Sequence, residues 1–268
     1  MTFPLFLIDP DTDETPVNSD ELHDGWVLTL PQTVARHAFK SMRLTEGDRL
    51  QLSDGRGLRI LATVHDPQNR QVRVDEFSRE PAAVTRLALV QALAKSGRDE
   101  QAIETATEIG VDRVVPWQAN RSIVQWKGGK EAKAAAKWRQ VLDAATEQSR
   151  RAWAPELGDK VSSKQIVEMC LRAGVHGDLV IVLHQDATDT WDGIENKVRA
   201  MGERCLEDGR PRTVSMVVGP EGGISEEEVA AFVDAGASAV VLGHNIMRAS
   251  SAGPVALALL ARALGRFS

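Results

Sequence analysis

Val214-Ser215-Met216-Val217-Val218-Gly219-Pro220-Glu221-Gly222-Gly223-Ile224-Ser225-Glu226-Glu227-Glu228 is the stretch on which the fold turns. Val214 to Val218 form a mostly apolar run of strand length, and the six residues that follow hold three glycines and a proline. Ser225 and Glu228 then have the spacing of a capping box, in which the serine accepts from the third helical amide and the glutamate reaches back. Strand, tight loop and helix therefore follow one another directly. A second junction of the same kind lies twenty residues on: Ala239 to Leu242 is apolar and runs into Gly243-His244-Asn245-Ile246-Met247-Arg248, ahead of a helix from about Ser251 to Leu264. Two such junctions can place two loops around one ligand.

Further toward the amino terminus, strands at Leu87–Leu93, Val114–Val115 and Leu179–Leu183 alternate with helices ending at Ile109 and spanning Gly128–Ser149, Ser163–Ala173 and Trp191–Leu206. Apolar strands alternating with helices imply an α/β fold with a mostly parallel sheet covered on both faces. Ligands collect at strand carboxyl ends in such sheets, so the loops after residues 183, 218 and 242 are the first candidates. Residues 1 to about 78 read differently, as a small β-rich unit with strands at Gly25–Leu30, Arg49–Leu52, Leu58–Val64 and Val72–Phe77 and a spacing that suggests a compact barrel. Asp54-Gly55-Arg56-Gly57 is a hairpin signal, and Pro31 is placed to open a helix through Met42. A linker is expected near residues 78–85, dividing the chain into 1–80 and 81–268.

The chain has 268 residues, 43% of them hydrophobic, enough for an ordinary core in one large domain or two smaller ones. No run approaches a membrane span, and the apolar start from Phe3 lacks a basic flank, so a cytoplasmic protein is expected. Cys170 and Cys205 stand far apart without histidines at ligand spacing, which suggests neither a disulfide framework nor a metal site. The net charge of −6 argues against wholesale coating of nucleic acid, but the charge is segregated. Asp9 to Asp24 hold seven acidic residues and no Lys or Arg, whereas Arg121 to Arg151 hold eight basic residues against three acidic ones. Either cluster could be a plain solvated face.

The two loops also limit their ligands. A Walker-type loop needs a terminal Lys with Ser or Thr, and a dinucleotide loop needs G-x-G-x-x-G; neither follows any of these strands. Glu226, Glu227 and Glu228 complement the positive helix end and compete with phosphate there. A ligand with an adenosine portion, a cationic centre and no phosphate tolerates them, and S-adenosylmethionine has that chemistry. Gly219, Gly222 and Gly223 either admit close approach of a flat ligand or simply make a tight turn. Ile246 and Met247 suit the walls of a base pocket or ordinary packing. Arg248, at a helix amino end, opposes the macrodipole unless an anion is its partner.

At these residues the chain resembles the ribosomal RNA small-subunit methyltransferase E family, the uridine-N3 methyltransferases of 16S rRNA within the SPOUT superfamily. The resemblance spans nearly the whole chain. It runs through His37, Met42-Arg43-Leu44, Gly47-Asp48, Asp54-Gly55, Gly57, Lys95, Ala106 to Val111, Pro116, Arg121-Ser122, Glu147-Gln148-Ser149 and Pro155-Glu156-Leu157, and its most specific elements are Gly219–Ser225 and Leu242–Ala252. It implies a PUA-like amino-terminal barrel for RNA, a SPOUT-type α/β domain with a carboxy-terminal trefoil knot, and a homodimer that reaches rRNA of the small subunit. Topology rules alone give an unknotted doubly wound sheet. The implied S-adenosylmethionine site comprises Leu183, His184, Val218, Gly219, Pro220, Glu221, Gly222, Gly223, Leu242, Gly243, Asn245, Ile246, Met247 and Ser251.

The family usually reads Arg-Ile-Leu-Arg-Thr-Glu-Thr-Ala where this chain has Asn245 to Ala252, and Thr105 stands where a Lys is common. Ser250, in the place of the Glu, is expected to order the loop as a helix cap. Arg248, helped by backbone amides near Ser250 and Ser251, is the candidate catalytic group, stabilising the uridine anion or fixing its phosphate. His184 has the unperturbed pKa of a general base, though a lone histidine is more often structural. His37, Arg43, Lys95, Arg121, Arg150 and Arg151 are the candidate RNA contacts. Trp153 could stack on an unpaired base or pack in a core. Two rivals remain: a non-catalytic rRNA-binding or ribosome-assembly module, and a nucleotide-phosphate enzyme of doubly wound type.

Overall fold

A computed structural model describes residues 3–9 and 22–267. Most of the acidic stretch after Asp9 lies outside the described residues. Contacts divide the chain into two units, Met1–Ala82 with Asp143–Ala154, and Ala83–Leu142 with Pro155–Ser268.

In the first unit, β1 (Leu5–Leu7), β2 (Val27–Thr29), β3 (Arg49–Ser53), β4 (Leu58–Asp66) and β5 (Gln71–Arg79) form one sheet in the order β1-β3-β4-β5-β2. Only the β1–β3 pair is parallel. Alternation makes the core: Leu58, Ile60, Ala62 and Val64 of β4 are buried, as are Leu50 and Leu52 of β3. Helix α1 (Gln32–Ala35) follows Pro31 and continues as a π-helical stretch, Arg36–Ser41. The hairpin at Asp54 forms because its carboxylate accepts from the amides of Arg56 and Leu58, while Gly55 and Gly57 take φ of +66° and +101°.

Sequence periodicity missed β1 and the return of residues 143–154 to this unit. Glu147 accepts from the Leu7 amide at 2.9 Å, and burial pushes its carboxyl above the usual carboxylate range. The Ala152 carbonyl accepts from Ser53 Oγ and the Gly57 amide. The Trp153 indole donates to the Glu80 carbonyl at 3.1 Å, so of the two readings of this residue packing is the one the structure supports.

In the second unit, β6 (Thr85–Ala92), β7 (Arg113–Gln118), β8 (Glu156–Leu157), β9 (Val161–Ser162), β10 (Leu179–Leu183), β11 (Asp189–Thr190), β12 (Arg212–Val218) and β13 (Ser238–Val241) form a wholly parallel sheet. Its order is β11-β13-β10-β12-β6-β7-β8, with β9 also on β7. The helices are α2 (Arg98–Ile109), α3 (Lys130–Ser149, whose end belongs to the first unit), α4 (Ser163–His176), α5 (Trp191–Asp208), α6 (Glu226–Asp234) and α7 (Ala249–Ala263). Leu87, Leu89, Val214, Met216 and Val240 share one core with Ile103, Val198 and Leu257. Val90, Trp117, Val182 and Val217 share the other with Ile166 and Phe232. Each face of the sheet is thus covered by helices, as parallel strands require.

Cys170 and Cys205 are buried helix residues, and burial pushes the Cys170 thiol up to about 11. Among the described residues no helix is long and apolar enough to cross a membrane, and no three His, Cys, Asp or Glu are grouped to hold a metal ion.

A methyl group on Gly57 would lie 2.6 Å from the Glu80 carbonyl and 2.8 Å from the Trp153 ring, whereas Gly47, also at positive φ, has open space. Gly47→Ala is therefore expected to cost about 1 kcal/mol, the conformational strain alone. Gly57→Ala is expected to cost roughly 2–4 kcal/mol because the clash adds to that strain. Urea unfolding followed by circular dichroism of the two variants measures the difference.

Candidate cofactor pocket

The three loops singled out by the sequence leave β10, β12 and β13, which are neighbours in the sheet and parallel, so their carboxyl ends open on the same side. After β12 the chain turns at once. A Cβ on Gly219 would come within 2.6 Å of the Ile224 side chain, Gly223 has φ of +71°, and its amide bonds the Pro220 carbonyl at 2.9 Å. Helix α6 then begins with the capping box formed by Ser225 and Glu228.

Glu228 does more than cap. It is 3% exposed and accepts from the amides of Ser225 at 3.1 Å and Asn120 at 2.9 Å, and from the Ser163 hydroxyl. Ser163 in turn accepts from the Trp117 indole. Of the three glutamates that were expected to guard the helix mouth, Glu228 is therefore turned into the protein, and only Glu226 lines the cavity in front of it.

That cavity is about 560 Å³, within the range of small-ligand sites. Leu183, His184, Val218 to Gly223, Leu242, Gly243 and Asn245 to Arg248 all line it. Ser251 does not; its amide bonds the Arg248 carbonyl at 2.9 Å. Ser250 is not a cap either, because the N-cap of α7 is Arg248 and Ser250 sits buried inside the first turn without a side-chain cap bond. Its amide is one of those a helix leaves without an intrahelical acceptor. The exposed Arg248 guanidinium has no hydrogen-bond or ion-pair partner among the described residues.

His184 is held at both ends of its backbone, its amide bonding the Val240 carbonyl at 3.0 Å. Its Nδ1 accepts from the Asp186 amide at 3.3 Å. That bond orients the ring, and His184 lines the cavity.

Arg121 lines the cavity and donates to the Gly222 carbonyl at 3.2 Å, while the exposed Lys95 joins the site by its backbone, which bonds Glu221. His37, Arg43, Arg150 and Arg151 belong to the first unit. There His37 lies edge-on to Phe6 with ring centroids 5.4 Å apart, and Arg43 and Arg150 take φ of +60° and +56°. Sequence reasoning missed Arg98 and Asp186, which also line the cavity. Arg98 was legible only as a helix-start residue, and the charge it brings matters. The lining holds three carboxylates, Asp186, Glu221 and Glu226, against three guanidinium groups, Arg98, Arg121 and Arg248. The pocket is thus mixed in sign, which corrects the picture of an acidic mouth.

Residues 80–261 match the family model of an RNA methyltransferase domain, and residues 30–77 match that of an RNA methyltransferase PUA domain. The chain belongs to the ribosomal RNA small subunit methyltransferase E family. A member from Mycobacterium bovis is 36% identical over 243 residues, which are 87% of this chain and 88% of that one. Among solved structures, a Legionella pneumophila protein in complex with the cofactor SAM superposes with a TM-score of 0.78 at 24% identity, covering 98% of both chains. A Neisseria gonorrhoeae member of the family bound to S-adenosyl methionine gives 0.77 at 22% identity, covering 97% of this chain and 98% of that one. These likenesses establish the α/β methyltransferase fold with a PUA-like amino-terminal domain.

Glu228→Ala would leave the buried Ser225 amide, the Asn120 amide and the Ser163 hydroxyl without this acceptor. It is expected to destabilise the second unit by roughly 2–4 kcal/mol. A thermal shift in the second unit's unfolding transition checks this, with Glu226→Ala, on the same turn but outside the network, as the control.

Proposed function

We propose that the protein is an S-adenosylmethionine-dependent methyltransferase of 16S rRNA that methylates N3 of a uridine. The observation that carries this reading is the cavity built from three strand-end loops of a parallel sheet in a chain of this family, with an exposed arginine on its rim. We also assign to the chain the features its family resemblance implies: closure of the amino-terminal sheet as a barrel, a trefoil knot in the carboxy-terminal unit, domains meeting near residue 80, and action as a homodimer on the small ribosomal subunit.

The residues present fit the cofactor. Gly222 approaches Arg121 so closely that an added Cβ would lie 3.3 Å from the arginine Cβ, so the glycine lets the loop pack against Arg121 at the cavity. Leu183, Val218, Leu242, Ile246 and Met247 supply apolar walls for a base, and Gly219, Gly223 and Gly243 line the cavity without side chains. The mixed charge of the lining suits a ligand that carries cationic groups and a carboxylate together. S-adenosylmethionine supplies, when bound, an electrophilic methyl group on a sulfonium.

The protein's work is then placement and charge stabilisation. Arg248, on the rim of the cavity, faces the negative charge that spreads over the uracil carbonyl oxygens as N3 loses its proton. The N3 proton passes to water, and the guanidinium lowers the cost of its departure. His37, Arg43, Arg150 and Arg151 in the first unit, and Lys95 and Arg121 in the second, are assigned to the RNA backbone.

Calorimetry with S-adenosylmethionine is expected to give a roughly micromolar dissociation constant for both the wild type and Arg248→Ala. Methylation of 30S subunits by Arg248→Ala is expected to fall about 100- to 1,000-fold at saturating cofactor. Unchanged turnover would remove Arg248 from the mechanism, and the absence of one methylated uridine in 16S rRNA from cells lacking the protein, read by mass spectrometry, fixes the target. For the basic residues, log affinity for RNA should fall linearly with log salt, and each single alanine at Arg43, Lys95, Arg121, Arg150 or Arg151 should reduce that slope by about 0.7–0.9. A slope that stays the same in these variants would reassign them.

A further inference from the structure

Strands β6 and β12 pair in register as far as Gln91 and Val218. Successive strands run outward from β6 through β7 to β8, while β12 and β10 lie on its other side. The order reverses there, and the segments leaving the two strands are joined by a single carboxylate. Glu221 Oε1 accepts from the Lys95 amide at 3.2 Å and from Arg98 Nη1 at 3.4 Å.

The turn that Glu221 grips is one that needs restraint. Ser96 and Gly97 take φ of +59° and +71°, and Ser96 carries a Cβ in a region that side chains disfavour. Its far end is pinned by the buried Asp99, which accepts from the Ala94 amide at 3.2 Å. On the other flank of the glycine loop, Arg121 holds the Gly222 carbonyl. The Glu221 carboxylate thus pairs with the Arg98 guanidinium and holds the Lys95 backbone, while Arg121 holds the next residue of the same loop.

We propose that Glu221 is a positioning residue for RNA: it ties the Lys95–Arg98 turn to the glycine loop, so that both cations stand at the rim of the cavity where the RNA backbone passes. This rests on the reading of the protein as an RNA methyltransferase. The sign of the effect discriminates. By charge alone a carboxylate at this place weakens RNA binding, and its removal would tighten it. By position it strengthens binding, because the loss of its two bonds releases a strained turn and lets both cations wander.

The test compares Glu221→Ala, Glu221→Gln, Arg98→Ala and the Arg98→Ala/Glu221→Ala pair in full-length protein, with separate constants for RNA and S-adenosylmethionine. Glu221→Ala is expected to raise KM for RNA about tenfold, more than kcat falls and more than the cofactor constant rises. Glu221→Gln keeps an oxygen for the Lys95 amide and is expected to recover part of the loss. The double variant is expected to be no worse than Glu221→Ala alone. Tighter RNA binding in both Glu221 variants, an equal loss of cofactor affinity, effects that multiply in the double variant, or an unchanged Glu221→Ala would each overturn the inference while leaving the functional reading intact. A wild type that neither binds S-adenosylmethionine nor methylates rRNA would overturn both.

Discussion

A buried carboxylate organises the catalytic unit. Glu228 sits at the start of α6, yet its oxygens bind the segment after β7 through Asn120 and the start of α4 through Ser163. A charge so deep is tolerated only because donors surround it, and those donors come from parts of the chain that are remote in sequence. Through them the loop carrying Arg121 is fixed beside Gly222. The glycines of that loop then become intelligible: Gly219 has no room for a side chain, and Gly222 is bare because Arg121 lies against it.

Much of this was legible in the sequence. Apolar runs of strand length located β10 to the residue and β12 and β13 to within two, because parallel strands buried on both faces leave little ambiguity. The capping box predicted the start of α6 from Ser225 and Glu228 alone. What escaped were contacts with no periodic signature. β1 is three residues long, β8, β9 and β11 two each, and the turn from Ser149 to Ala154 shows no pattern that assigns it to the first unit. Nor does spacing reveal that Glu228 faces inward while Glu226 lines the cavity. Both follow Ser225 on one helical turn, and only the packing of α4 against that turn tells them apart.

The site shows the same division. Loops at strand ends were readable as a place, and fourteen of the fifteen residues assigned to cofactor and catalysis line a single cavity, with Ser251 outside it. Its electrostatics were not readable, because Arg98 and Asp186 come from segments that no glycine motif marks. Ser250 illustrates the limit of local rules. A serine just before an apolar helix is a good cap by propensity, but the chain bends at Arg248, and the serine is already inside the helix when its hydroxyl would be useful.

The sharing of α3 between the two units has a consequence for how the protein is made. The Glu147 carboxylate that receives Leu7, the Ala152 carbonyl that receives Gly57 and the indole that covers it all belong to residues translated long after β5. At roughly 5–20 residues per second, the ribosome takes several seconds to supply them. Through that interval the nascent sheet lacks its closing partners, so the amino-terminal part of this RNA-modifying enzyme is completed only after more than half of the polypeptide has emerged.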